Sequence, residues 1–170
     1  MSLLNKEPVK RAEKALKEFD ETLSVTELEN TARTALDAAK SLNCEVGAIV
    51  KSLLFKNGEN YFLCLVSGDK RCSLNKLKKF FNSKDLSMAS PNDVKEQTGY
   101  TIGGVSPIGH TNSLQILVDS SLKRFKDFAA STAVLAVFSN SVTDKVSSNS
   151  FNAFSALLTG SLFNKLIIAT

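Results

Sequence analysis

The residues best able to do chemistry in this chain are one lysine in an apolar strand and a glycine-rich loop farther along. Lys51 is the only charge within AIVKSLLF (48–55). A charge among apolar side chains costs free energy unless a partner or ligand uses it. The loop GYTIGGVSPIGH (99–110) has four glycines and a proline, so main-chain amides could approach a ligand closely. Together they predict a small pocket with one cation and many main-chain donors. Such a pocket suits anion or acyl-ester chemistry rather than metal or redox chemistry.

Each of these features also has a structural interpretation that the sequence leaves open. Lys51 can extend past a sheet edge into solvent, and the loop can simply connect a helix to a strand. His110 is the single histidine, and a lone histidine is more often a hydrogen-bonded structural residue than a general base. Ser106 lacks the histidine and carboxylate set that would make it a triad nucleophile.

Composition limits the class of protein. With 170 residues, 43% of them hydrophobic, the chain is expected to form one domain over residues 1–170. No apolar stretch is long enough for a membrane span, and no secretion signal is visible. Cys44, Cys64 and Cys72 lack CxxC spacing, which favours reduced thiols in a cytoplasmic protein. With one histidine and no cysteine cluster, we expect no metal and no cofactor.

A β-hairpin is the clearest predicted element. Two apolar runs, 48–55 and 60–67, flank Asn57-Gly58, the preferred pair for a type I′ turn. Both runs are apolar on both faces, so we expect a sheet that is covered on both sides. Cys64 is interpreted as core packing within the second run.

Helices and shorter strands are predicted around this hairpin. Thr34, Ser73 and Ser90 are placed to cap helices, with Pro91 at a first helical position and Gly99 past a helix end. Asp119 follows a strand and is interpreted as a cap. The remaining predictions are a helix over 8–19, a weak strand over 22–28, a helix over 35–43, strands over 114–119 and 134–138, a loop or insertion over 139–150, and a helix over 151–158.

Taken together, several segments resemble the YbaK/prolyl-tRNA editing family of aminoacyl-tRNA deacylases. The lysine segment and the loop form a specific combination that neither would provide alone. In consistent order over residues 8–138, the matching pieces are TARTA (31–35), VGAIVKSL (46–53), VSG (66–68) and TGYTIGGVSPIGH (98–110).

The resemblance implies an α+β fold whose mixed, partly barrel-like β-sheet is surrounded by helices, with a cleft for the aminoacylated 3′ end of a tRNA. It implies Lys51 as the family's key lysine and Gly103 to Pro107 as its Gly-x-x-x-Pro loop. The residues carried over as catalytic are Lys51, Gly103, Gly104, Ser106 and Pro107, and those carried over as substrate-binding are Thr31, Arg33, Thr34, Ser52, Gly68 and His110.

The implied activity is hydrolysis of the ester of a mischarged aminoacyl-tRNA in trans, with tRNA-Pro carrying a wrong small amino acid as the expected substrate. An activated ester needs a placed water and a stabilised oxyanion rather than a strong nucleophile. We expect Lys51 to bind the terminal adenosine or its phosphate. Prolyl-tRNA synthetase is the further partner considered, and neither DNA nor membrane is expected. A non-catalytic module that binds the tRNA 3′ end is the alternative.

Overall fold

A computed structural model describes residues 3–19, 21, 25, 27–28, 32–124, 129–131 and 168–169. The predicted strand 134–138, the predicted insertion 139–150 and the predicted last helix 151–158 lie outside these residues. Most of the predicted strand 22–28 also lies outside them, and the described residues Val25, Glu27 and Leu28 are not in a strand.

Four α-helices form where the sequence places their starting signals. They are α1 (Glu7–Phe19), α2 (Ala35–Leu42), α3 (Leu74–Phe81) and α4 (Pro91–Thr98). Thr34 and Ser90 each form a capping box, and Ser73 accepts a hydrogen bond from the Lys76 amide. Gly99 ends α4 in the left-handed region at φ 73°. These local signals needed no tertiary context, and the predicted caps are confirmed.

The hairpin is confirmed, but its predicted turn is wrong. Strand β1 (Ile49–Asn57) pairs antiparallel with β2 (Asn60–Ser67), and Asn57 faces Asn60. The two central turn residues are therefore Gly58 and Glu59. Positive φ occurs at Gly58, at 60°, and not at Glu59, which is the pattern of a type II′ turn. Asn57 stays in the strand because it also pairs with Leu86.

The sheet is mixed and open. Its remaining strands are β3 (Leu86–Met88), β4 (Gln115–Val118), β5 (Ala129–Ser131) and β6 (Ile168–Ala169). The order is β4-β2-β1-β5-β6, with β3 pairing to β1 as well. The α+β class is confirmed, but the partly barrel-like form is not, because the strands that the structure describes do not close into a barrel. Sequence analysis also missed β3, whose three residues are too short to show a pattern.

Both faces of the hairpin are covered. On one face, Leu63 and Leu65 pack with Ala12 and Leu16 of α1. On the other, Phe62 and Cys64 pack with Leu77 of α3. Successive side chains of a strand point to opposite faces, so burial of both sets explains why β2 has no polar face. After β4, Asp119 accepts a 2.7 Å hydrogen bond from the Ser121 amide and so caps the 3₁₀ segment Ser120–Arg124, as predicted.

Gly68 is required by packing rather than by its φ angle. A Cβ built on it would lie 2.2 Å from the Val46 carbonyl oxygen, which is main chain and cannot turn aside. Gly58 is the matched case, because its φ is +60° and nothing lies within 4 Å of its Cβ position.

We predict that Gly68→Ala lowers the free energy of unfolding by at least about 2 kcal/mol, as a backbone clash in a packed site should. Gly58→Ala should cost about 1 kcal/mol, from the left-handed backbone alone. Urea unfolding of both variants measures the difference. Equal losses of stability in the two variants would show that the segment containing Val46 shifts at little cost to accommodate the methyl group of alanine at position 68.

Candidate functional site

A gap along one edge of β1 creates the main cavity. One edge of β1 pairs with β2 from Val50 to Asn57. On the other edge, β5 pairs at Ile49 and Val50, and β3 pairs from Phe55 to Asn57. Within the described part of the chain, no strand pairs with residues 51–53 on that edge.

Main-chain groups of Ser52 face this gap. The Leu54 carbonyl points away from β2, because it accepts a 3.0 Å hydrogen bond from the amide of Ala89. Residues of an antiparallel strand alternate in which edge their main-chain groups face, so Ser52 shares the orientation of Leu54. The Ser52 amide and carbonyl are therefore aimed along the open edge and can bind an extended ligand.

The cavity has a volume of about 400 Å³, which lies within the range of ordinary small-ligand sites. Its walls are mostly apolar, and its charged lining residues are Lys51 and Arg33. Two exposed apolar side chains, Met88 (57% exposed) and Ile102 (62%), stand at its rim. The other lining residues are Ala32, Thr34, Ala35, Ala38, Ile49, Val50, Ser52, Leu53, Leu54, Ala89, Val94, Gly103 and Val105.

Lys51 lines the cavity and is held by the turn after β2. Its Nζ donates a hydrogen bond to the Lys70 carbonyl. Burial lowers the pKa of Lys51 from its ordinary value, while the nearby Asp69 carboxylate opposes that shift. The side chain is half-buried, so it is neither a lysine in free solvent nor one sealed in the core. Lys51 therefore brings one cation to the border of the cavity, with its Nζ bonded to the turn after β2.

A salt bridge fixes the turn that holds Lys51. Arg124 contacts Asp69 with a nitrogen to Oδ1 distance of 2.8 Å. The hydroxyl of Ser67 lies 2.6 Å from Asp69 Oδ1 and 2.6 Å from the Gly47 carbonyl oxygen. The hydrogen bonds from Arg124 and Ser67 lower the pKa of Asp69 to about 2, so this carboxylate stays charged at neutral pH.

The glycine-rich loop contributes a tight turn to the cavity. The Gly104 amide donates a 2.9 Å hydrogen bond to the Thr101 carbonyl. Gly103 is the third residue of this turn, and its φ of +86° is the feature of a type II turn that requires glycine. Gly103 lines the cavity, whereas the Gly104 amide is already used within the turn.

Arg11 and Tyr100 brace the rest of that loop. Arg11 donates to the carbonyls of Gly109 at 2.7 Å and Gly99 at 3.1 Å, and its guanidinium lies 4.9 Å from the centre of the Tyr100 ring. The Tyr100 hydroxyl is within 3.0 Å of the carbonyl oxygens of Ile108 and Gly109. These contacts rigidify the base of the loop, so the turn at Gly103 is presented from a fixed support.

His110 also braces the loop. Its Nε2 lies 2.7 Å from the carbonyl oxygen of Ser106, and burial lowers its pKa. It does not line the cavity. The geometry matches the structural interpretation of this lone histidine, because a mostly neutral ring occupied by a main-chain carbonyl is poorly placed for proton transfer at the cavity.

The other predicted site residues divide into two groups. Arg33 and Thr34 line the cavity, although the Thr34 hydroxyl is also the cap of α2, 2.8 Å from Asp37 Oδ2. Ser106 and Pro107 are buried within the loop and do not line the cavity. Gly68 packs against Val46 outside the cavity, and Thr31 lies outside the described residues. The structure thus brings Lys51, Ser52, Gly103, Arg33 and Thr34 together.

Sequence analysis missed Arg11, Tyr100 and the apolar wall of the cavity. Arg11 precedes Ala12 on the buried side of α1, but nothing in a helical pattern shows that an arginine reaches a distant loop. Met88, Ala89 and Val94 come from elements that no local pattern connects to β1.

The described residues contain no group of three histidine, cysteine or acidic side chains that could hold a metal ion. They also contain no helix that is both long and apolar enough to cross a membrane.

Comparisons with known proteins identify the family. Residues 29–134 match the family described as the aminoacyl-tRNA editing domain. A proline–tRNA ligase of Thermosipho melanesiensis is 37% identical over 112 residues, which are 65% of this chain and 20% of the ligase. YwhH, an uncharacterized protein of Bacillus subtilis, is 39% identical over 103 residues, covering 60% of this chain and 65% of that protein. The chain thus spans about a fifth of the ligase and about two thirds of YwhH.

A solved structure agrees with this assignment. It is described as a candidate trans-editing enzyme for prolyl-tRNA synthetase and superposes with a TM-score of 0.66 at 38% identity, covering 71% of this chain and 76% of that one. The residues that match the family model, 29–134, include β1, the loop 99–110 and all the residues that line the cavity. The chain belongs to the aminoacyl-tRNA editing domain family.

Proposed function

We propose that this protein hydrolyses the ester of mischarged aminoacyl-tRNA in trans, and that its substrate is tRNA-Pro carrying a wrong small amino acid. The observation that carries the proposal is the cavity on the open edge of β1, where Lys51, the Ser52 main chain and Gly103 meet. Similarity to regions of proline–tRNA ligases supports the choice of tRNA. Prolyl-tRNA synthetase is a proposed partner for the same reason.

The chemistry proposed for the cavity is positioning and oxyanion stabilisation. The Ser52 amide, aimed along the open edge, would donate to the ester carbonyl oxygen as negative charge develops on it. The Lys51 ammonium would bind the terminal ribose or its phosphate. The turn at Gly103 would close one side, so that the acyl group and an attacking water are held together. The apolar walls would receive a small side chain.

A non-catalytic module for the tRNA 3′ end is the second candidate. It is favoured by one observation, that no carboxylate or histidine is among the described residues lining the cavity. Incubating purified protein with Ala-, Cys-, Ser- and Pro-charged tRNA-Pro separates the two. An editing hydrolase releases one of the wrong amino acids with many turnovers per protein and spares Pro-tRNA. A binding module protects every ester from spontaneous hydrolysis.

Lys51 and Lys56 give a matched test within one strand. Lys51 lines the cavity, whereas Lys56 lies over the Tyr61 ring, 5.5 Å from its centre, outside the cavity. We predict that Lys51→Ala lowers kcat/KM for deacylation about 100-fold, equal to about 3 kcal/mol of transition-state stabilisation. Lys56→Ala should stay within about twofold of the parent.

Lys51→Arg should recover little of that loss, since a planar guanidinium replaces a compact ammonium poorly in a confined site. Thermal unfolding of each variant controls for stability. If folded Lys51→Ala has the kcat/KM of the parent, Lys51 has no role in deacylation and only its structural interpretation stands.

Gly103 and Gly58 form a second matched pair. Both have positive φ, and neither has an atom within 4 Å of its Cβ position. Valine at either position therefore meets the same backbone strain, and the two variants should lose similar stability. We predict that Gly103→Val abolishes deacylation while Gly58→Val retains it, as measured at a temperature where both are folded. Comparable activity in the two would exclude a role for the Gly103 turn.

Arg71 is exposed near Lys51, and its charge helps to lower the pKa of Lys51. We propose that it contacts a tRNA phosphate. We predict that Arg71→Ala raises KM severalfold with kcat nearly unchanged, and reduces the slope of log KM against log salt by about one unit or less. Lys14→Ala is the control. Lys14 is an exposed lysine of α1 that pairs with Glu18 and does not line the cavity. An unchanged slope of log KM against log salt in Arg71→Ala would exclude the proposed contact between Arg71 and a tRNA phosphate.

A further inference from the structure

Two cysteines meet beneath the turn that holds Lys51. Cys64 is buried on β2, and Cys72 is half-buried in the segment between β2 and α3. Their sulfur atoms are 3.7 Å apart. Both line a second, small cavity of about 50 Å³, together with Arg71, Lys76 and Asp119. Neither the proposed function nor the described editing cavity uses this thiol pair.

The geometry is close to that of a disulfide. A bonded pair of sulfur atoms is about 2.05 Å apart, so the sulfur atoms must approach by less than 2 Å as a rough measure. Cys64 is fixed in the centre of the sheet, where it faces Leu53 across the ladder. Cys72 lies in the irregular segment between β2 and α3, outside the strand ladder. Closure therefore requires a small displacement of the segment rather than unfolding of a strand.

The two thiols differ in chemical character. The sulfur–sulfur contact with Cys64 lowers the pKa of Cys72, and the nearby Lys51 ammonium lowers it further, whereas burial and the Asp119 carboxylate raise it. The same contact and burial raise the pKa of Cys64. Cys44 is exposed, yet its pKa is raised by partial burial of its thiol and by Glu45. Since the thiolate is the form that attacks an oxidant, Cys72 should be oxidised first, and the Cys64 thiol should then react with the oxidised Cys72.

We propose that Cys64 and Cys72 are a redox-sensitive pair that closes to a disulfide when a hydroperoxide oxidises Cys72. The Cys72 thiolate attacks a peroxide oxygen of hydrogen peroxide, the O–O bond breaks, and Cys72 sulfenic acid and hydroxide form. The Cys64 thiol then attacks the sulfenic sulfur. The S–O bond breaks, and the thiol proton leaves with the hydroxyl group as water. Overall, two thiols are oxidised by two electrons and one peroxide is reduced to two waters.

A disulfide between Cys64 and Cys72 would affect the editing cavity through Lys70 and Arg71, which connect Cys72 to the turn that holds Lys51. Cys72 follows Lys70 and Arg71, and the Lys70 carbonyl accepts the hydrogen bond from Lys51 Nζ. Asp69 is tied to Arg124, so the start of the turn cannot follow Cys72 freely. Drawing Cys72 toward β2 therefore displaces the Lys70 carbonyl relative to Lys51. This consequence for deacylation rests on the proposed function, whereas disulfide formation does not.

The chemical test is titration of the thiols of the full chain with hydrogen peroxide at neutral pH, followed by alkylation and mass analysis. The parent and Cys44→Ser should each lose two free thiols, and the thiols should return with dithiothreitol. Trypsin cuts after Lys70 and Arg71, so a disulfide-bonded pair of peptides containing Cys64 and Cys72 identifies the link. Cys64→Ser and Cys72→Ser should form no such pair. Oxidation of Cys72 to a sulfinic acid, or of Cys44 first, would overturn the assignment.

The functional test uses the same oxidised and reduced samples. We expect deacylation by the disulfide form of the parent to have kcat/KM at least fivefold lower, with full recovery in dithiothreitol and no peroxide effect in Cys72→Ser. Equal kcat/KM for the two forms would overturn the coupling to Lys51. A protein that forms the disulfide but hydrolyses no tested aminoacyl-tRNA, even when reduced, would contradict the proposed function and leave the thiol pair established.

Discussion

The interrupted pairing of β1 is the constraint on which the rest of the site depends. Strand β1 pairs with β2 over almost its whole length, but β5 and β3 share its other edge and meet only its two ends. Residues 51–53 between them keep an edge without a strand neighbour among the described residues. Such an edge leaves main-chain groups without a strand partner, here the amide and carbonyl of Ser52, and it lines a cavity of about 400 Å³.

The two sides of the cavity are supported independently. On one side, the Arg124–Asp69 salt bridge holds the turn whose Lys70 carbonyl receives Lys51. On the other, Arg11 and Tyr100 hold the base of the loop that presents Gly103. A cation and a glycine turn that line the same cavity are thus held by separate sets of contacts. The function that we propose uses both to orient an activated aminoacyl ester, which needs no strong nucleophile.

Local signals in the sequence predicted much of this fold, and long-range contacts account for what they missed. The caps at Thr34, Ser73 and Ser90 depend on bonds within a few residues, so the sequence alone located them. The predicted type I′ turn at Asn57-Gly58 is wrong because pairing with β3 keeps Asn57 in the strand. For the site, Lys51 and Gly103 were recognisable by residue type. Arg11 and the Met88 wall were not, because they reach the cavity from separate elements.

In the function that we propose, the open edge of β1 receives the aminoacyl end of the tRNA. The most direct measurement is the ¹⁵N–¹H spectrum of the protein titrated with a 3′-aminoacylamino-3′-deoxyadenosine, whose amide replaces the labile ester and whose amino acid is small. We expect the largest shifts at the amides of Ser52 and Gly103, with protection of the Ser52 amide from hydrogen exchange. Saturable binding that leaves both amides unchanged, with shifts confined to Arg71, Lys76 and their surroundings, would contradict it.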